Sequence, residues 1–207
     1  MLAALTGSGV AAAAGLNAFL PMVVVGILVR FTPLLDMPAG FTWIGSWPFI
    51  IMSLVFLINE LVLDKIPGVD TIYDLMMTPV RPAVGGLLFA ACAAGDVVVF
   101  SQFWRDHMWL GVVLGTLIAA AVHFSKAAAR TSISAWTEGV ATPLASFVED
   151  ALCITLVVSA MLIPALLPAL LLAMAIAIYR IVTIGRRRRR SKIERQRRWV
   201  RERARRA

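Results

Sequence analysis

Six stretches of mostly apolar residues, 2–29, 44–63, 82–100, 108–125, 145–163 and 165–184, constrain this 207-residue chain more than any other feature. Each has about the ~20 residues that carry a helix across a bilayer, where the backbone must satisfy its own hydrogen bonds. The expected fold class is therefore an all-α integral membrane protein with about six transmembrane helices. A mean hydropathy of +0.84 with 60% apolar and 15% charged residues excludes an ordinary soluble domain.

The formal net charge of +8 misleads until it is divided by position. Residues 186–207 hold thirteen basic and two acidic side chains, or +11, which leaves −3 on the body. We read 1–185 as a polytopic membrane domain with halves 1–104 and 105–185, followed by an Arg-rich cytoplasmic tail. A run of Arg directly after a span is expected to grip anionic lipid headgroups, and nucleic acid is not expected as a partner. With the tail inside, six crossings put Lys65, Arg81, Lys126 and Arg130 on the cytoplasmic side and Arg30 and Arg105 outside, with both termini cytoplasmic. The link after the first stretch, with Trp43 and Trp47, reads as an interfacial loop, and LIPALLPAL as a tight hairpin. No positive region precedes the first apolar run, so it reads as a span and not as a cleaved signal. Cys92 and Cys153 sit in apolar runs without a CxxC or a His neighbour and are expected to be small buried hydrophobes. Nothing in the sequence fixes the oligomeric state, and a homo-oligomer is compatible with it.

Residues 7–18, GSGVAAAAGLNA, align with 115–126, GTLIAAAVHFSK, at a constant offset of 108. The first would start inside and the second outside, so a real repeat would be an inverted 3+3 arrangement of the kind many secondary transporters use.

Against this apolar background the stretch ELVLDKIPGVDTIYDLMMTPVRP, residues 60–82, is anomalous. Glu60 and Asp64 are four apart, as are Asp70 and Asp74, so each pair shares a helical face, and Pro67-Gly68 predicts a break between them. Lys126 and Arg130 share a face in the second half, where Glu149 and Asp150 open the fifth stretch. In the first span Gly15, Asn17 and Pro21 predict a broken or re-entrant helix, and a second such segment is expected between His123 and Pro143. An ionised side chain costs roughly 2.5–3.5 kcal/mol at a span centre and less near the interface. The charges either fringe the cytoplasmic surface as ion pairs or converge on a site.

The blocks GLNAFLPMVVVGILVR, E-x3-DKIPGVDTIYD-x4-TPVRP-x2-G, K-x3-R and S-x2-ED resemble the bacterial membrane family catalogued as domain-of-unknown-function 4126, over about residues 8–168. DKIPGVD is the specific part. The resemblance implies a location in the bacterial cytoplasmic membrane but no activity. It picks out Asn17, Glu60, Asp64, Lys65, Pro67, Asp70, Asp74, Arg81, Pro82, Lys126, Arg130, Ser146, Glu149 and Asp150; the Arg tail is an addition of this chain.

The favoured expectation is a small secondary transporter or lipid flippase for an anionic substrate. Lys65, Arg81, Lys126 and Arg130 would hold the anion, and Glu60, Asp64, Glu149 and Asp150 would serve as counter-charges, one of them carrying a coupling proton. Asn17, Asp70 and Asp74 complete the candidate set. No catalytic residue, metal or cofactor is expected, since a glycine-rich nucleotide loop, an HExxH and a Ser/His/Asp set are all missing from the sequence. The alternatives are a non-catalytic membrane scaffold and a metal-dependent phosphotransferase built on Asp70-x3-Asp74.

Overall fold

The computed structural model describes residues 2–66, 68–95, 102–137 and 140–185, and among these it is helical without a strand. The helices are α1 (Leu2–Leu16), α2 (Phe19–Phe31), α3 (Trp47–Leu63), α4 (Val69–Met76), α5 (Val80–Ala94), α6 (Gln102–Asp106), α7 (Met108–Thr137), α8 (Thr142–Leu162) and α9 (Pro164–Gly185). A 3-10 segment, Ala39–Gly45, precedes α3, and a 3-10 turn opens α9. Pro67, the end of the third apolar stretch at 96–100 and the Arg tail 186–207 lie outside the described residues.

Among the described residues, three helices are long and apolar enough to cross a bilayer whole: α7 over Met108–Ser134, α8 and α9. Two more crossings follow if each bent pair counts as one, the 3-10 segment with α3 at 57° and α4 with α5 at 51°. The chain is thus a multi-pass membrane protein, and its polarity agrees. Large apolar side chains such as Ile51, Val55 and Ile58 on α3 and Leu144, Phe147 and Ile154 on α8 face outward, whereas Glu60, Arg81 and Lys126 are buried.

The composition of α1 explains why it sits at the centre. Its LAALTGSGVAAAAGL is almost entirely Ala, Gly and small polar residues, and α5, α7 and α8 all pack against it. Small residues let helices approach at backbone distance, the usual basis of association within lipid. At Gly85 an added Cβ would collide with the Ala119 methyl of α7 and stand 3.0 Å from the Gly115 carbonyl and 3.4 Å from that of Ala11, so α1, α5 and α7 meet there with no side chain larger than a methyl between them. Trp43 in the 3-10 segment and Trp47 at the start of α3 are half exposed, with the Arg30 guanidinium 4.5 Å from the Trp47 ring centroid. Cys92 and Cys153 are both free and buried.

One expectation is corrected. The stretch from His123 toward Pro143 was expected to break or re-enter, yet α7 runs continuously to Thr137; residues 138–139 lie outside the described residues, and α8 opens at Thr142. The reason is local. Thr131, Ser132 and Thr137 donate to the carbonyls of Ala127, Ala128 and Ile133, which satisfies the hydroxyls inside the helix. No Gly or Pro lies between Gly115 and Thr137 to stop it. The break in the first span is present: α1 ends at Leu16 and α2 starts at Phe19.

Candidate functional site

The break at Asn17 and Ala18 exposes backbone groups at the middle of the first apolar stretch, and side chains from elsewhere satisfy them. Pro21 lies in the first turn of α2, where its missing N–H removes no helical bond. Asn17 Oδ1 accepts from Phe19 N and Leu20 N at 3.2 and 3.0 Å. Glu60 Oε2 accepts from Ala18 N and Phe19 N at 3.2 and 3.5 Å. On the opposite side of the break, Lys126 Nζ donates to Leu16 O at 2.7 Å. The positive end of α2 thus faces a carboxylate and the negative end of α1 an ammonium, the arrangement that helix dipoles favour.

From these two contacts a network extends through α3, α4, α5, α7 and α8. Arg81, fully buried at the start of α5, gives Nε and Nη2 to Glu60 Oε1 at 3.3 and 2.9 Å. Its Nη1 reaches Asp74 Oδ1 at 2.6 Å and His123 Nδ1 at 3.0 Å. A guanidinium only donates, so His123 Nδ1 is the acceptor. Thr78 Oγ1 bonds the Asp74 carbonyl and so receives the His123 Nε2 proton, 3.2 Å away. The imidazole is therefore neutral. Lys126 Nζ contacts Asp64 Oδ2 at 3.1 Å and Glu149 Oε2 at 3.3 Å. Arg130 takes Glu149 through Nε and Nη2, meets Asp64 Oδ2 at 3.1 Å and has Asp70 Oδ2 3.5 Å from Nη1. Asp150 bridges Asn17 Nδ2 at 3.3 Å and Lys65 Nζ at 3.1 Å. The turn carrying Asp64 to Asp70 depends on Gly68, whose φ of 89° suits glycine, and Asp70 accepts from its N–H at 2.9 Å.

Two features of this network matter chemically. It holds six carboxylates (Glu60, Asp64, Asp70, Asp74, Glu149, Asp150) against four cations (Lys65, Arg81, Lys126, Arg130), an excess of two negative charges if all are ionised. Within it, Asp64 Oδ1 is buried and has no hydrogen-bond partner among the described residues, whereas Oδ2 has several. Buried acceptors without donors are rare and costly.

Two clefts reach the network from different sides. One of about 480 Å³ lies between α4 and α7, with Asp70, Asp74, His123 and Arg130 on its wall. The other, about 580 Å³, lies among α7, α8 and α9 and is apolar except for Lys126 and Glu149. Arg130 faces the first cleft and Glu149 the second, so their ion pair forms the partition.

Every candidate residue read from the sequence joins this assembly, including the pairs predicted to share helical faces. Those residues fall in the GLNAFLPMVVVGILVR, E-x3-DKIPGVDTIYD-x4-TPVRP, K-x3-R and S-x2-ED blocks. The model of a family described as a domain of unknown function, DUF4126, matches residues 4–183. The chain belongs to that family. No curated protein and no solved structure matches it.

For this member of the family, the structure changes the roles within the set. Arg81 was expected to bind an anion, but its fork is enclosed by Glu60, Asp74 and His123. His123 and Thr78 lie outside the candidate set, yet both touch the network. The signal for His123 was available, since 123, 126 and 130 fall on one stripe of a helix. Thr78 gave none, because its position depends on how α4 turns into α5. Ser146, a motif position, places its Oγ in the interior without a hydrogen-bond partner among the described residues.

Proposed function

We propose that this protein is a small secondary transporter or lipid flippase for a phosphate- or carboxylate-bearing substrate, coupled to protons. The observation that carries the reading is that charges from α3, α4 and α5 and from α7 and α8 converge on one buried network at a helix break, where two clefts meet. Half-helix ends that face charged groups at membrane depth are a recurring design of carriers, whose sites must exchange partners as access alternates. The anion is held by Lys126 and Arg130, because Arg81 is enclosed and Lys65 is engaged by Asp150 at the edge. The coupling proton is carried by one of the acids of the network, Glu60, Asp64, Glu149 or Asp150, and Asp64 is the acid on which the cations converge. Arg81, Lys126 and Arg130 face that carboxylate, with Glu60 and Asp74 as the neighbouring acids.

Counting α1 with α2 as one broken crossing gives six spans, with both ends cytoplasmic in a bacterial inner membrane and the Arg tail on anionic lipid. The inverted 3+3 relation between the halves rests on the offset of 108 between residues 7–18 and 115–126. The α1 break at Asn17 aligns with Ser125, which lies inside continuous helix in α7. The scaffold reading is favoured by one observation, the complete pairing of Arg81.

The test is reconstitution into sealed vesicles with two probes, dye-labelled phosphatidylglycerol and radioactive inorganic phosphate, under an imposed pH gradient. Protein-dependent movement of at least one probe is expected, dependent on the gradient and lost in Lys126→Gln that still inserts and folds. Equal movement in Lys126→Gln, or none above empty vesicles for either probe, contradicts the proposal.

A further inference from the structure

The larger cleft has the form of a lipid site. α7 and α8 both pack closely on α1 but only sparsely on each other, and α9 lies outside them. The gap that results has Leu16 and Lys126 at its deep end, each 2% exposed, and exposed Leu144, Ala173 and Ala177 toward its mouth. In a bilayer such a mouth opens sideways onto acyl chains and not onto water, and its walls offer a soluble anion nothing. Its volume of about 580 Å³ suits a chain-sized ligand.

At the deep end, Glu149 already behaves as a tethered ligand. Its carboxylate receives Arg130 Nε at 3.0 Å, Arg130 Nη2, and Lys126 Nζ at 3.3 Å, and it is the most exposed acid of this cluster at 14%. Any anion of similar size in the same place meets the same donors, and Arg forks match carboxylate and phosphate alike. Resting on the carrier reading, we infer that the α7–α8–α9 cleft binds an anionic phospholipid, with an acyl chain along Ile133, Leu152 and Met174 and the phosphate exchanging with Glu149 for Arg130 and Lys126. Glu149 is then an internal competitor that keeps both cations neutralised while the site holds no lipid.

Native mass spectrometry of the full chain in detergent, titrated with phosphatidic acid and with phosphatidylcholine of identical chains, tests this. Phosphatidic acid should bind at least about tenfold more tightly, a difference that one charge-assisted hydrogen bond accounts for. Arg130→Gln should erase that preference. Glu149→Gln should tighten binding of phosphatidic acid, because the competing charge is gone. Ala173→Trp, at an exposed position on the cleft wall, should weaken it without altering the fold. Equal binding of the two lipids, or displacement of phosphatidic acid by equimolar inorganic phosphate together with an indifferent Ala173→Trp, overturns the inference. Loss of lipid binding with Lys126-dependent phosphate flux intact sinks this site and leaves the carrier. Lipid binding as described with no flux of any probe has the reverse meaning.

Discussion

Two arginine–glutamate pairs stand in the same network and differ in everything but their chemistry. Arg81–Glu60 is sealed: both side chains are fully buried, and each remaining atom of the fork and the carboxylate is engaged by Asp74, His123 or the amides at the α1–α2 break. Arg130–Glu149 has tighter hydrogen bonds, yet it stands between two clefts and keeps some exposure on both partners. A buried pair with all its donors and acceptors met fixes geometry, whereas one at a cavity wall can exchange its partner. The first pair holds the broken helix in register; the second is where a substrate anion can enter.

The sharpest way to break this comparison is Arg81→Gln. It leaves Glu60 and Asp74 short of their shared cation, and thermal unfolding in detergent should register a loss of about 3–5 kcal/mol. Glu149→Gln should cost less, about 1.5–3 kcal/mol in the same assay, since the amide still accepts from Arg130. Asn17→Ala removes the cap of α2 while Glu60 still holds Ala18 N, so a loss of about 0.5–2 kcal/mol is expected. Lys65→Gln should do least, below about 1 kcal/mol, because that pair with Asp150 is partly exposed. If Lys65→Gln proved as damaging as Arg81→Gln, burial would not be what separates the two kinds of pair.

Much of this site was legible in the residues. The i,i+4 spacings in 60–74 and at Lys126 and Arg130 placed each charge on a shared face, and Gly15, Asn17 and Pro21 located the break. Those are local properties, and local periodicity records them. The partner of each charge was not legible, because pairing joins different helices, at separations from 7 positions in Arg81–Asp74 to 133 in Asn17–Asp150. The continuity of α7 was misread for a related reason. Its Ser and Thr hydroxyls are satisfied by their own helix, so polarity there did not signal a break. His123 stood outside the candidate set because nothing local gives it a partner; only the turn between α4 and α5 brings Arg81 to it.

The most direct measurement is probe flux per folded molecule for Arg130→Gln beside wild type in the same sealed vesicles, with folding checked by thermal unfolding. Our account predicts a folded, inserted variant that moves neither labelled phosphatidylglycerol nor phosphate above background. A folded Arg130→Gln that moves either probe at the wild-type rate would contradict it.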